Sequence, residues 1–187
     1  RAISKAEIKA VMGYTTEVAG VYTRLAVDLF SFSYLMGGIN FVDMANLTRS
    51  NIIDGRLVYR RQKTGKLLNL PIHTKAMEII ESYATNDQYL FPIYSKEHKT
   101  IQQKLNRHQK VITKVNRALA EIGKELKIPI KLTTYVARHS YATVLKRSGV
   151  PTSIISESLG HSSERVTQIY LDSFENERMD EALKNLL

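Results

Sequence analysis

Cysteine is absent from the 187 residues, so neither a disulfide framework nor a thiolate metal site is available. No apolar run approaches the ~20 residues that a membrane-spanning helix needs, and nothing resembles a signal peptide. A soluble intracellular protein is therefore expected. Histidine, aspartate and glutamate never cluster at ligand spacing, which points to chemistry without a metal or other cofactor. Internal repeats and low-complexity segments are missing too. Acidic residues are outnumbered, with 18 Asp and Glu against 27 Lys and Arg, a net charge of +9. That balance suggests a polyanionic partner. The length suits one domain, 1–187, with a substantial core.

What is present reads as an α+β chain, mostly α-helical, with a small three-stranded antiparallel sheet. Ser4 followed by Glu7 is a capping box that starts a helix. Residues 21–36 are too apolar for a surface helix and read as a buried one. GGIN (37–40) breaks it, and helical character resumes before a strand. Asp54-Gly55 and Lys63-Thr64-Gly65-Lys66 are turn signals around strand-prone residues such as Leu57, Val58 and Tyr59. A short helix follows over 73–83, with Ala76, Ile79, Ile80 and Tyr83 inward. From Ile101, apolar residues through Leu105, His108, Ile112, Val115, Leu119, Ile122 and Leu126 make one stripe of a long helix. Pro129 is expected to end it and Thr133 or Thr134 to cap the next. Ten Lys and Arg face three Asp and Glu between Lys96 and Lys131. The bias is one-signed, so Lys104, Arg107, Lys114 and Arg117 read as a DNA-facing surface rather than a solvated face. After Tyr170 the tail turns acidic, with Phe174, Met179, Ala182, Leu183 and Leu186 on one helical stripe.

The chemistry concentrates in TTYVARHSYATVLKRSGVPTSIISESLGHSSERVTQIY (133–170). Arg138 offers a planar fork of donors suited to phosphate oxygens. His161, 23 residues on, can donate to the same group, and Tyr170, nine residues further, carries a hydroxyl able to act as a covalent nucleophile. The Arg-His pair, the Leu-Gly-His triplet and the final Tyr, in this order and at these separations, resemble the C-terminal signature of the tyrosine recombinases. Those integrases cut and rejoin DNA through a phosphotyrosine.

The resemblance implies that fold, with Arg138 as phosphate clamp, His161 as its partner and Tyr170 as nucleophile. It also implies that Lys63, just before Thr64-Gly65, protonates the leaving 5′ hydroxyl. Arg60, Arg61 and Lys66 then add a basic strip for backbone phosphates. The family's first box, Gly-x-Arg followed by an acid, falls on Gly38, Ile39, Asn40 and Asp43. Asn40 thus stands where the family has an arginine, and Tyr135 where it usually has a histidine. Neither can carry positive charge. Arg24 and Arg49 are the nearest candidates to replace the missing arginine. Asp43 reads either as a residue that orients the site or as a buried structural carboxylate, and His139 as another supporting candidate.

The same resemblance implies double-stranded DNA bearing a specific site as partner. It further implies a homotetramer on DNA from protomers monomeric in isolation, accessory DNA-bending or directionality proteins, and a bacterial nucleoid-associated setting in the cytoplasm. The family's DNA-clamping domain is expected N-terminal to this chain, outside it. Beside a distant third, a helix-turn-helix regulator suggested by the broken helices around Gly149 and Gly160, two rival readings remain. One is a non-catalytic relative that binds DNA as an accessory factor, motivated by Asn40 and Tyr135. The other is an enzyme like the type IB topoisomerases.

Overall fold

The computed structural model describes residues 2–17, 20–85 and 88–171. The acidic tail beyond Leu171, with its expected helical stripe, lies outside the described residues. Helix α1 (Lys5–Met12) opens with the expected box: Ser4 Oγ accepts from the Glu7 N–H, and a Glu7 carboxylate oxygen accepts from the Ser4 N–H at 2.6 Å. Helix α2 (Val21–Leu35) is the buried one, with Leu29, Phe30 and Phe32 fully covered. It touches α1, α3 (Phe41–Asn46), α4 (Thr74–Glu81), α5 (Ile101–Glu125) and α6 (Thr134–Arg147). From Leu25 onward α2 is largely apolar and needs cover on several faces, which is why that part sits at the centre.

The break after α2 is held in place rather than loose. Ser33, itself buried, donates from Oγ to the Ile39 carbonyl at 2.8 Å, and its own carbonyl accepts from the Gly38 N–H at 2.8 Å. After a single 3-10 turn (Arg49–Asn51) come β1 (Ile52–Ile53), β2 (Arg56–Arg60) and β3 (Leu67–Pro71). They form one antiparallel sheet in sequence order, with Leu57 opposite Leu70 and Tyr59 opposite Leu68. Alternation buries Leu57, Tyr59 and Leu68 against the helices and leaves Arg56 and Arg60 outward.

Two expectations for the long helix need correcting. Ile101 and Leu105, read as the start of its apolar stripe, are 80% and 57% exposed. At about 37 Å for its 25 residues, α5 outruns the core. Its buried line begins only at Val111 and continues through Val115, Leu119 and Ile122. Nor does Pro129 end the helix. It stops at Glu125, where Lys127 turns left-handed (φ 54°) and the Ile128 N–H reaches back to the Gly123 carbonyl at 2.8 Å. Thr133 occupies the N-cap of α6, but its side chain makes no capping hydrogen bond.

Beyond α6, α7 (Thr152–Ser158) and a helical stretch over 164–171 close a smaller cluster of Ala142, Ile155, Leu159 and Leu171. Tyr141 and Tyr170 pack against its edge. Among the described residues, no helix is long and apolar enough to cross a membrane.

Candidate active site

Arg138 lies in the middle of α6 and is only 3% exposed. Its Nη1 donates to the Gly38 carbonyl and its Nη2 to the Leu159 carbonyl, both at 2.7 Å. The guanidinium therefore ties the break after α2 to the loop after α7. Gly38 makes this approach possible. Its φ is 66°, and a Cβ there would sit 3.0–3.3 Å from Arg138 Cγ, Cα and Cβ. Burial, then the neighbouring Arg61 charge, pull the Arg138 pKa below the usual guanidinium value.

Arg61 was read with Arg60 and Lys66 as a basic strip for backbone phosphates. The structure buries it apart from them: Arg61 is 6% exposed, and its Nη1 donates to the Gly160 carbonyl at 2.6 Å. Gly160 is left-handed at φ 63°, with Arg61 Cδ lying 3.0 Å from where a Cβ would be. The two guanidiniums thus rest on consecutive carbonyls, Leu159 and Gly160. The physical reason is the turn that follows β2. Thr64 Oγ1 also donates to the Gly160 carbonyl at 3.1 Å, so the whole turn docks on the loop before His161. Arg60 stays exposed and donates to the Gly65 carbonyl at 3.2 Å, Lys63 is exposed on the turn, and Lys66 is half-buried.

His161 faces Thr167, with Nδ1 and Oγ1 2.7 Å apart. Thr167 is fully buried, so it fixes the imidazole plane and leaves Nε2 for other partners. Burial, followed by the charges of Arg138, Arg61, Lys63 and Lys66, pushes the His161 pKa down to about 4. His161 is consequently neutral at pH 7. Tyr170 meets two imidazole rings at once. His161 stands edge-on to it at 5.8 Å between centroids, and His139 stacks on it at 4.8 Å and 27°. His139 in turn meets Tyr135 edge-on at 4.3 Å. Burial, with the Tyr135 phenol second, pushes the Tyr170 hydroxyl well above the ordinary phenol range, while Arg138 pulls the other way. Burial, chiefly, lowers the His139 pKa to about 3.

Asp43, 3% exposed, accepts from the Gln62 N–H at 2.8 Å and feels the charges of Arg61 and Arg138. It is a buried carboxylate that holds the backbone just past β2. Burial still raises its pKa. Asn40 occupies the N-cap position of α3, and its side chain makes no capping hydrogen bond.

Other expected site residues fall elsewhere. Arg24 is exposed on α2 and pairs with Asp28 at 3.8 Å; Arg49 pairs with Glu81 at 2.7 Å on the surface. Neither of these candidates for the missing arginine joins the cluster around Arg138. On α5, Arg107 donates to the Ile93 and Pro92 carbonyls, at 2.9 and 3.4 Å. Lys104 lies 5.7 Å from the rings of both Tyr89 and Tyr94, and Lys114 lies 4.6 Å from that of Tyr22. Arg117 reaches Glu121 at 3.4 Å. Much of the basic face is therefore engaged with its own domain. Thr167, three residues before Tyr170 in the same signature, was given no role from the sequence.

Residues 1–177 match the model of the phage integrase family. A tyrosine recombinase XerA from Pyrococcus furiosus is 34% identical over 139 residues, covering 71% of this chain and 45% of that protein. The site-specific recombinase XerH, solved bound to palindromic difH substrate as a post-cleavage complex, superposes with a TM-score of 0.65. Its identity is 17%, and the match covers 97% of this chain and 52% of that one. A lambda integrase tetramer bound to a Holliday junction gives a TM-score of 0.60 at 19% identity, over 90% and 47%. The chain spans about half the length of these relatives.

Proposed function

Since the chain belongs to the phage integrase family of tyrosine recombinases, we propose that it is the catalytic portion of a site-specific DNA recombinase that works through a 3′-phosphotyrosine. The observation carrying this is the convergence of Tyr170, His161 and the guanidinium of Arg138 from three separate elements. Tyr170 Oη bonds to the phosphorus and its proton passes to the neutral imidazole of His161. The bond to the 5′ oxygen breaks, and that oxygen takes a proton from Lys63. Arg138 neutralises charge on the phosphoryl oxygens in a water-poor pocket, where such preorganised donors act most strongly. The bond energy is kept in the phosphotyrosine, so rejoining needs no ATP. Tyr135 and His139 orient the nucleophile.

The partner in this reading is double-stranded DNA with a specific site, held by four protomers that are monomeric alone. Accessory bending or directionality proteins and a nucleoid-associated place in the cytoplasm accompany it. The test uses nicked suicide duplexes of randomised sequence and a denaturing gel. A covalent protein–DNA band that vanishes in Tyr170→Phe and persists with chelator is expected. DNA binding without any band would favour the accessory-factor reading that Asn40 and Tyr135 motivate.

A further inference from the structure

The buried charge around the candidate nucleophile is unbalanced. Arg61 and Arg138 are 6% and 3% exposed, and each spends one donor on a carbonyl of the same two-residue step, Leu159-Gly160. Arg61 Nε has no hydrogen-bond partner among the described residues, although it is buried. No described carboxylate lies within ion-pair distance of either guanidinium. The acid they share, Asp43, accepts from the Gln62 N–H through Oδ1. A guanidinium removed from water with donors unspent is unfavourable unless an anion enters. Lys63 and Lys66 add to the positive field at His161.

We propose that Arg61 is the second guanidinium of this site, binding together with Arg138 the one phosphate that Tyr170 addresses. The assignment rests on the reading that a DNA phosphodiester enters here. Arg61 reaches the pocket from the end of β2, whereas Asn40 approaches from the loop before α3 without a charge. The cation absent at Asn40 is thereby supplied from a different element. Both arginines are buried and rest on adjacent carbonyls, so an opening that admits a phosphate to Arg138 admits it to Arg61. The free Nε, with the remaining Nη2, presents the side of the fork suited to two oxygens.

Two measurements decide it. In the first, inorganic phosphate is titrated into the isotope-labelled chain while the imidazole resonances of His161 are followed. Arg61→Ala and Arg138→Ala should each weaken the response by about tenfold or more, as loss of a charge-assisted donor pair implies. Arg61→Lys, which keeps stem and charge but not the fork, should fall between and serves if the alanine variant does not fold. In the second, randomised nicked duplexes carry either phosphate or methylphosphonate at the scissile position. Arg61→Ala should lose about 100-fold in covalent adduct on phosphate. It should recover on methylphosphonate, whose reacting group bears no charge to neutralise.

Unchanged phosphate affinity in folded Arg61→Ala, or an equal loss on both backbones, would overturn the proposal and leave Arg61 as a tie for the β2–β3 turn. A wild-type chain that forms no Tyr170-dependent adduct, yet responds to phosphate only with Arg61 present, would sink strand cleavage and uphold the paired guanidiniums.

Discussion

At the scale of single residues, the site depends on groups that bear no charge. Gly38 is one: a Cβ would meet Arg138 at 3.0 Å on a backbone already left-handed. Gly38→Ala should lower stability by roughly 1–3 kcal/mol, the usual cost of an L-residue held there, measured by urea unfolding. Thr167 is another. Its hydroxyl is the observed partner of His161 Nδ1, so Thr167→Val should slow adduct formation with little change in DNA affinity. Thr167→Ser should restore most of the rate. A rate in Thr167→Val as high as in Thr167→Ser would show that Thr167 acts through packing alone. Histidine titration gives a further expectation. His161 and His139 have pKa values near 4 and 3 when folded, against 6.5 when free. The unfolded chain thus binds protons first, and these residues subtract stability as pH falls from 6.5 towards 4. Chemical unfolding at pH 7 and pH 5 should show the loss, reduced in His161→Asn.

Individual elements differ in how their ends are secured. Ser4 makes both bonds of its box, whereas Thr133 sits at the N-cap of α6 without one. Ser4→Ala should therefore cost about 1 kcal/mol, while Thr133→Ala should stay within about 0.5 kcal/mol. Thermal melts of the two variants compare them directly. Helix α6 needs no cap because tertiary bonds fix its start: the Thr134 N–H donates to Asn116 Oδ1 at 2.9 Å. The turn after β2 shows the same logic. Arg61 and Thr64 both end on the Gly160 carbonyl, so the exposed Lys63 is carried to the pocket by the docking of its neighbours.

Across the whole molecule, the +9 charge is less free than its count suggests. Arg49 and Arg117 are paired with carboxylates and Arg107 with two carbonyls, while Arg60 and Lys63 remain exposed with no carboxylate partner among the described residues. Replacing Arg60 by Ala should flatten the slope of log affinity for duplex DNA against log salt by about 0.9, as one lost phosphate contact does. Replacing Arg49 should leave that slope unchanged. Fluorescence anisotropy at several salt concentrations measures both.

Local signals determined a great deal by themselves. The box at Ser4, the buried α2, the two turn signals and the Arg-His, Leu-Gly-His and Tyr spacing all depend on residues close in sequence. Their periodicity and turn chemistry are written there. Arg61 was a different matter. With Arg60 and Lys66 it read as part of one basic strip, because neighbours in sequence do not say what will cover a side chain. Only the packing of the 158–161 loop, 99 residues away along the chain, made it a buried neighbour of Arg138. The exposure of Ile101 and Leu105 was hidden for the same reason: a helical stripe does not reveal where the core it faces comes to an end.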